Sequence, residues 1–356
     1  MTSFGIRLPN RSIGPGNPLF FIAEAGVNHN GDLGMALALV DAAAAAGADA
    51  VKFQTFRAES LITRTAPKAP YHTETTGPDE EQTWFELLKT QELTPDMHRA
   101  IIERCAEKGV MFLSTPYDNE SVDLLDALDV PLYKVASTDA NNIPFLEYMA
   151  SKGRPIILST AMCDLDEVKA SVAAIRAAGV GDLLVMQCTG SYPAPIAEAN
   201  LRAMHGIAEA CDVAVGYSDH TPGVEAAIAA TAMGAAAYEK HFTLDRSLPG
   251  PDHRASLEPD ELTDLVRAVR SVEAALGDGA KRVMPCEQIN RQRLRKSILA
   301  GREMAAGETL GLGDLAIKRA GGLGLSPDRY REIVGRVLTR PVSLEEPLTL
   351  EHFADQ

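Results

Sequence analysis

The chain has 356 residues, 46% of them hydrophobic and 23% charged, with a formal net charge of −15 and a pI near 5.0. That balance excludes the basic face that nucleic acid or an anionic membrane selects, and no apolar run approaches the ~20 residues of a membrane span. A small anionic substrate stays open, because two or three lysines in one pocket override the global field locally.

The opening stretch, MTSFGIRLPNRSIGPGNP, lacks the charged-then-apolar layout of a signal peptide. The five cysteines, Cys105, Cys163, Cys188, Cys211 and Cys286, are odd in number and form no C-x-x-C pair, so reduced thiols in the cytoplasm are expected. From residue 19 onward, β-rich runs alternate with Ala-rich helical segments. LFFIAEAG (19–26) predicts a buried strand, GMALALVDAAAAAGAD (34–49) a helix with Gly47 near its end, and AVKFQT (50–55) a second strand. A long polar excursion and an amphipathic segment (92–109) precede the third, VMFLSTPY (110–117). LYKVAS (132–137), PIILST (155–160), LLVMQCT (183–189), VAVGYSD (213–219) and AAYEKHFT (236–243) complete the set. Helical stretches separate them, including 164–179, with Asp164 as its N-cap, and 259–277.

Eight apolar strands alternating with helices over about 250 residues predict an α/β chain folded as a (β/α)8 TIM barrel. An open doubly wound sheet would carry a Gly-rich phosphate loop after its first strand. That position reads EAGVNHNGD, without G-x-G-x-x-G. Residues 1–280 are therefore assigned to the barrel domain and 281–296, polar and basic, to a linker. Residues 297–356, dense in Gly and turn signals, form a second domain small enough to need support from the barrel or a partner subunit.

A barrel of this type places its active site at the C-terminal strand ends, and polar residues collect there. Glu24 ends the first strand; Lys52 and Gln54 alternate on the second; Thr115 ends the third; Lys134 and Ser137 lie on the fourth. Tyr192 follows the sixth, Ser218 and His220 end the seventh, and Glu239, Lys240 and His241 end the eighth. Any one of these alone is an ordinary solvated or hydrogen-bonded group; their convergence is what marks a site. Lys52, Lys134, Thr115, Ser137 and Ser218 offer the cations and hydroxyls that phosphate and carboxylate need. His220 and His241 end neighbouring strands, which suits either a shared divalent metal or a hydrogen-bonded pair. Glu24, Glu239 and Asp252 can serve as acid–base groups or as hydrogen-bond acceptors for sugar hydroxyls, with a turn role open for Asp252 in LPGPDHRASLEP. Lys240 falls between Glu239 and His241 and is expected to face the helix layer.

Together, FIAEAGVNHNGD, DAVKFQTF, FLSTPYD, YKVAS, IILSTAM, QCTGSYPAP, GYSDHT, EKHFTLDRSLPGPDH and SLEPDEL resemble the sialic acid (N-acetylneuraminate) synthases, from about residue 18 to the C-terminus. AGREMAAGETLGLGDLAIKRAGGLGLSP resembles the antifreeze-protein-like (SAF, β-clip) module that this family carries after its barrel. The resemblance implies condensation of phosphoenolpyruvate with an N-acetylated mannosamine-type sugar, release of phosphate, dependence on Mn2+ or Mg2+, and a domain-swapped homodimer. It implies N-acetylneuraminate synthesis from N-acetylmannosamine, with N,N'-diacetyllegionaminate synthesis from 2,4-diacetamido-2,4,6-trideoxymannose as the nearer alternative and a non-catalytic sugar-binding protein as the more distant one.

Carried over by motif, the resemblance makes His220 and His241 metal ligands. Lys52, Thr115, Lys134, Ser137 and Ser218 become phosphoenolpyruvate contacts. Glu24 and Glu239 become catalytic, Gln54, Tyr192 and Asp252 sugar-binding, and Arg319 the arginine that the small domain extends to a partner's site. Two positions depart from the family pattern: Ala320 replaces the proline of Arg-Pro-Gly, and Gly190 stands where some members have a phosphate-binding Asn.

Overall fold

A computed structural model describes residues 5–354 and divides the chain into two units, Met1–Gly277 and Asp278–Gln356. The first unit opens with an unanticipated antiparallel hairpin, β1 (Ile6–Leu8) and β2 (Arg11–Ile13). Eight parallel strands follow: β3 (Phe20–Gly26), β4 (Ala50–Thr55), β5 (Met111–Pro116), β6 (Tyr133–Val135), β7 (Ile156–Ser159), β8 (Leu183–Cys188), β9 (Ala214–Asp219) and β10 (Ala237–His241). Their order is β5-β4-β3-β10-β9-β8-β7-β6, and β5 lies beside β6, so the sheet is a nearly closed barrel.

The helices between strands start and stop where the chemistry requires. Leu33–Ala46 begins with the Asp32 side chain accepting from the Met35 N–H at 2.7 Å and ends at Gly47, whose φ of 81° an L side chain would strain. Asp164 caps Leu165–Ala177, accepting from the N–H groups of Asp166 and Glu167, and Glu167 reciprocates in a capping box. These helices bury apolar faces against the outward side chains of the strands, among them Phe21, Phe53, Val185, Tyr217 and Tyr238.

Inward side chains form a separate, smaller cluster toward the N-terminal ends: Phe20, Ile22, Ala50, Leu113, Leu132, Ile157, Leu184, Met186, Ala214 and Ala237. Ile6 and Ile13 of the hairpin join it, both fully buried. The hairpin thus plugs one end of the barrel. Burying each isoleucine contributes about 1.5–3 kcal/mol.

The polar excursion after β4 is more ordered than its composition suggests. It carries helices Ala58–Leu61, Pro70–Thr76 and Trp84–Thr90, with a small core of their own around Phe56, Phe85 and Leu88. In the second unit, part of the expected linker is the helix Gln288–Leu294. β11 (Lys296–Ala300) and β12 (Leu315–Arg319) pair antiparallel over a core that includes Ile298, Leu310, Leu325, Ile333 and Phe353. No helix among the described residues is long and apolar enough to cross a membrane.

Candidate active site

Period-two alternation turns each strand's sequence into a column of inward side chains. In β3 that column reads Phe20, Ile22, Glu24; in β9 it reads Ala214, Gly216, Ser218; in β10 it reads Ala237, Glu239, His241. Each column begins apolar and ends polar. The parallel register aligns the polar ends across strands: His241 is paired with Glu24, Glu24 with Lys52, Gln54 with Thr115 and Glu239 with Ser218.

The result is one cavity of about 560 Å3 at the C-terminal rim. Its lining brings together Glu24, Lys52, Gln54, Thr115, Lys134, Ser137, Tyr192, Ser218, His220, Glu239, His241 and Asp252. Arg319 belongs to the second unit, where it is exposed at the end of β12.

At the floor, Lys52 Nζ stands 2.9 Å from Glu24 Oε2, donates to Thr115 Oγ1 at 3.0 Å, and is 3.9 Å from Glu239 Oε1. Lys134 Nζ donates to Ser159 Oγ at 2.6 Å and lies 3.5 Å from Glu239 Oε1, which also accepts from Ser218 Oγ at 3.2 Å. Both lysines and both glutamates are buried. Burial pushes Glu24 up to about 7, opposed by Lys52 and reinforced by Glu239. Burial acts the same way on Glu239, but Lys134 and Lys52 outweigh it and hold that carboxylate below its ordinary range. Burial depresses Lys134 despite Glu239, whereas for Lys52 the two glutamates overcome burial and raise it. Asp252 at the rim is pushed up to about 6 by burial, against the pull of Lys52. Near neutral pH the floor therefore sets two buried lysines against one firm carboxylate and one carboxyl that exchanges its proton, an arrangement that admits a small anion.

The two imidazoles stand at the edge of this floor with ring centroids 5.5 Å apart. Burial pushes His220 down to about 4 and His241 well below the usual range, so both are neutral. His220 Nδ1 donates to the Thr189 carbonyl at 2.7 Å, leaving Nε2 as a lone-pair donor. His241 Nδ1 and Glu239 Oε2 are buried with no hydrogen-bond partner in the protein. Two neutral imidazoles, one with its tautomer set by a backbone carbonyl, fit a divalent cation. No group of three His, Cys, Asp or Glu among the described residues is placed to hold one alone, so substrate and water would complete its coordination.

Several lining residues escaped the sequence reading. Tyr71, His72 and Trp84, from the polar excursion, form an aromatic wall: His72 stacks on Trp84 at 4.1 Å, Tyr71 on Tyr192 at 5.3 Å, and Tyr192 approaches His220 at 3.9 Å. The chain's lone tryptophan inside a polar stretch was the available signal. Gly26 follows a register shift in β3 at φ 54°, and a Cβ there would press on Glu24 Oε1 at 3.3 Å. Gly190 lines the cavity against Met162 and Ala161, where a Cβ would meet Met162 Cγ at 3.2 Å. An asparagine there would require Met162 to move.

A profile of the NeuB family matches residues 39–281 and one of the SAF domain matches residues 295–354. The N,N'-diacetyllegionaminic acid synthase of Campylobacter jejuni is 42% identical over 327 residues, 91% of this chain and 97% of that protein. Human N-acetylneuraminate-9-phosphate synthase is 36% identical over 348 residues, 98% of this chain and 96% of that one. Among solved structures, the N-acetylneuraminic acid synthetase of Leptospira borgpetersenii superposes with a TM-score of 0.70 at 35% identity, covering 81% of this chain and 95% of that one.

Proposed function

The chain belongs to the NeuB family of phosphoenolpyruvate-using, carbon–carbon bond-forming sugar-acid synthases, and within it we propose that this protein converts 2,4-diacetamido-2,4,6-trideoxymannose to N,N'-diacetyllegionaminate, with N-acetylmannosamine as the competing acceptor. The sequence reading ranked these the other way. Two observations favour the reverse order. Legionaminic acid synthases of two bacteria are 42% identical to the chain, against 36% for the human and mouse N-acetylneuraminate-9-phosphate synthases. The upper cavity is apolar and aromatic, with Leu61, Ile62, Tyr71, Trp84 and Leu88, and its lining cations are the floor lysines Lys52 and Lys134. A deoxy carbon and acetamido methyls suit that wall, whereas a sugar phosphate would want a cation there.

The observation that carries the reading is the polar floor. Lys52, Lys134, Thr115, Ser137 and Ser218 would hold the phosphate and carboxylate of phosphoenolpyruvate through charge-assisted hydrogen bonds. His220 and His241 would hold Mn2+ or Mg2+, which supplies Lewis-acid polarisation of the acceptor's carbonyl. Gln54, Tyr192 and Asp252 would orient the sugar so that its carbonyl carbon meets the phosphoenolpyruvate methylene. Bond formation leaves positive charge at the second carbon, beside Glu24 and Glu239. Water adds at that carbon and phosphate departs. Glu24, with its raised pKa, is suited to take the proton of that water near neutral pH, and Glu239, held ionised, to stabilise the charge. A cytoplasmic homodimer with Arg319 reaching a partner's cavity completes the proposal. Phosphate release with Mn2+ and each acceptor in turn, including N-acetylmannosamine 6-phosphate, tests it. Higher kcat/KM for either other sugar overturns the acceptor assignment.

A further inference from the structure

The outer face of β9 and β10, behind the two histidines, carries a buried ion pair that the chemistry above does not use. Lys240 and Asp219 are register partners in the parallel ladder, so both side chains leave the sheet on the same side, away from the cavity. Lys240 Nζ lies 2.8 Å from Asp219 Oδ2, and the two residues are 2% and 1% exposed. Asp219 Oδ1 accepts from both the N–H and the hydroxyl of Thr221, each at 2.8 Å. Lys240 also donates to the Thr221 carbonyl, and the Tyr238 hydroxyl donates to Asp219 Oδ2. Every polar atom of the pair is thus committed inside the protein.

The placement is specific. Asp219 immediately precedes His220, and Lys240 immediately precedes His241. The network holds the chain on both sides of His220, at Asp219 and at Thr221. Through Lys240 it ties that turn to the strand that bears His241. A backbone hydrogen bond from Ala194 N–H to the His220 carbonyl, 2.8 Å, adds a third hold. A buried charge pair is worth little as a source of stability, yet an arrangement that separates the two is costly, because it leaves each charge without its partner.

We propose that Asp219 and Lys240 are positioning residues that set the separation of the His220 and His241 imidazoles, and thereby the protein's affinity for its divalent cation. The proposal rests on the reading of His220 and His241 as the metal ligands. Ligand-orienting groups of this kind typically govern about 10–100-fold of metal affinity.

Mn2+ binding to the full-length protein, titrated by electron paramagnetic resonance, tests it, with circular dichroism as the check on folding. Lys240→Met is expected to weaken Mn2+ binding about 10–100-fold, while phosphoenolpyruvate affinity in metal-free buffer stays at the wild-type value. Asp219→Asn combined with Lys240→Met removes both charges and leaves no unpaired ion, so it decides the matter if the single variant fails to fold; it too should bind Mn2+ more weakly. A folded variant with wild-type Mn2+ affinity, whatever its melting temperature, overturns the positioning role and leaves the metal reading standing. If His220→Ala and His241→Ala both bind Mn2+ as the wild type does, the metal reading fails and takes the positioning role with it.

Discussion

The two ends of the barrel interior are made by the same strands and obey opposite rules. At the N-terminal end, Phe20, Ile22, Leu113, Ile157 and Leu184 pack with Ile6 and Ile13 of the hairpin, and the interior is apolar. At the C-terminal end, two or four residues further along, Glu24, Lys52, Lys134, Glu239 and His241 are just as buried yet ionisable. The first end is stabilised by apolar area removed from water. The second is organised by pairing, and its unpartnered Glu239 Oε2 and His241 Nδ1 mark where bound groups would complete it. One end holds the fold; the other spends some of that stability on a site.

The contrast between the two ends fails if a rim residue proves structural. On the proposed metal role, His241→Ala should reduce turnover by about 10³-fold, the several kcal/mol that Lewis-acid polarisation supplies, while circular dichroism and melting temperature stay close to wild type. Loss of fold instead would make the rim a second core.

Lys134→Met comes next. It would remove the charge-assisted contact proposed for phosphoenolpyruvate, worth about 1.5–3 kcal/mol, so affinity by calorimetry should fall about 10–100-fold. Unchanged affinity would assign Lys134 to the internal network alone.

The plug answers differently. Ile13→Ala should cost about 2–5 kcal/mol in chemical denaturation and leave kcat per folded molecule unchanged. A matching fall in kcat would show the two ends to be coupled.

The smallest effect sharpens the electrostatic side. Folded Glu24 keeps its proton up to about 7, whereas its ordinary value is 4.5. Between those values the folded state binds a proton that the unfolded state has released, so this group's contribution to stability falls as pH rises through that window. Glu24→Gln cannot ionise. The melting temperature of the variant relative to wild type should therefore rise from about pH 5 to about pH 7.5, equivalent to about 1–3 kcal/mol. A pH-independent difference would remove Glu24 from the buried network.

Much of this was legible in order along the chain. Strand identity, helix caps at Asp164 and Gly47, and the inward parity of Glu24, Lys52, Glu239 and His241 follow from periodicities of 2.0 and 3.6 and from cap chemistry, which are local. The hairpin at residues 6–13 was not legible. Three-residue strands carry no period, and Ile6 and Ile13 acquire meaning only against the barrel interior. Nor was the aromatic wall: Tyr71, His72 and Trp84 sit in a polar stretch, and Tyr71 meets Tyr192 only through the fold.

The amino-acid order thus determined which side chains could face inward at each height of each strand, because alternation is a property of the extended backbone alone. Tertiary structure decided which of them meet. Closure of the sheet and its register set Lys52 2.9 Å from Glu24 and Lys134 3.5 Å from Glu239. Distance and burial, not residue type, then separated the two glutamates into one that exchanges its proton near neutrality and one that stays ionised, because Coulomb energy and desolvation depend on surroundings that no single strand contains.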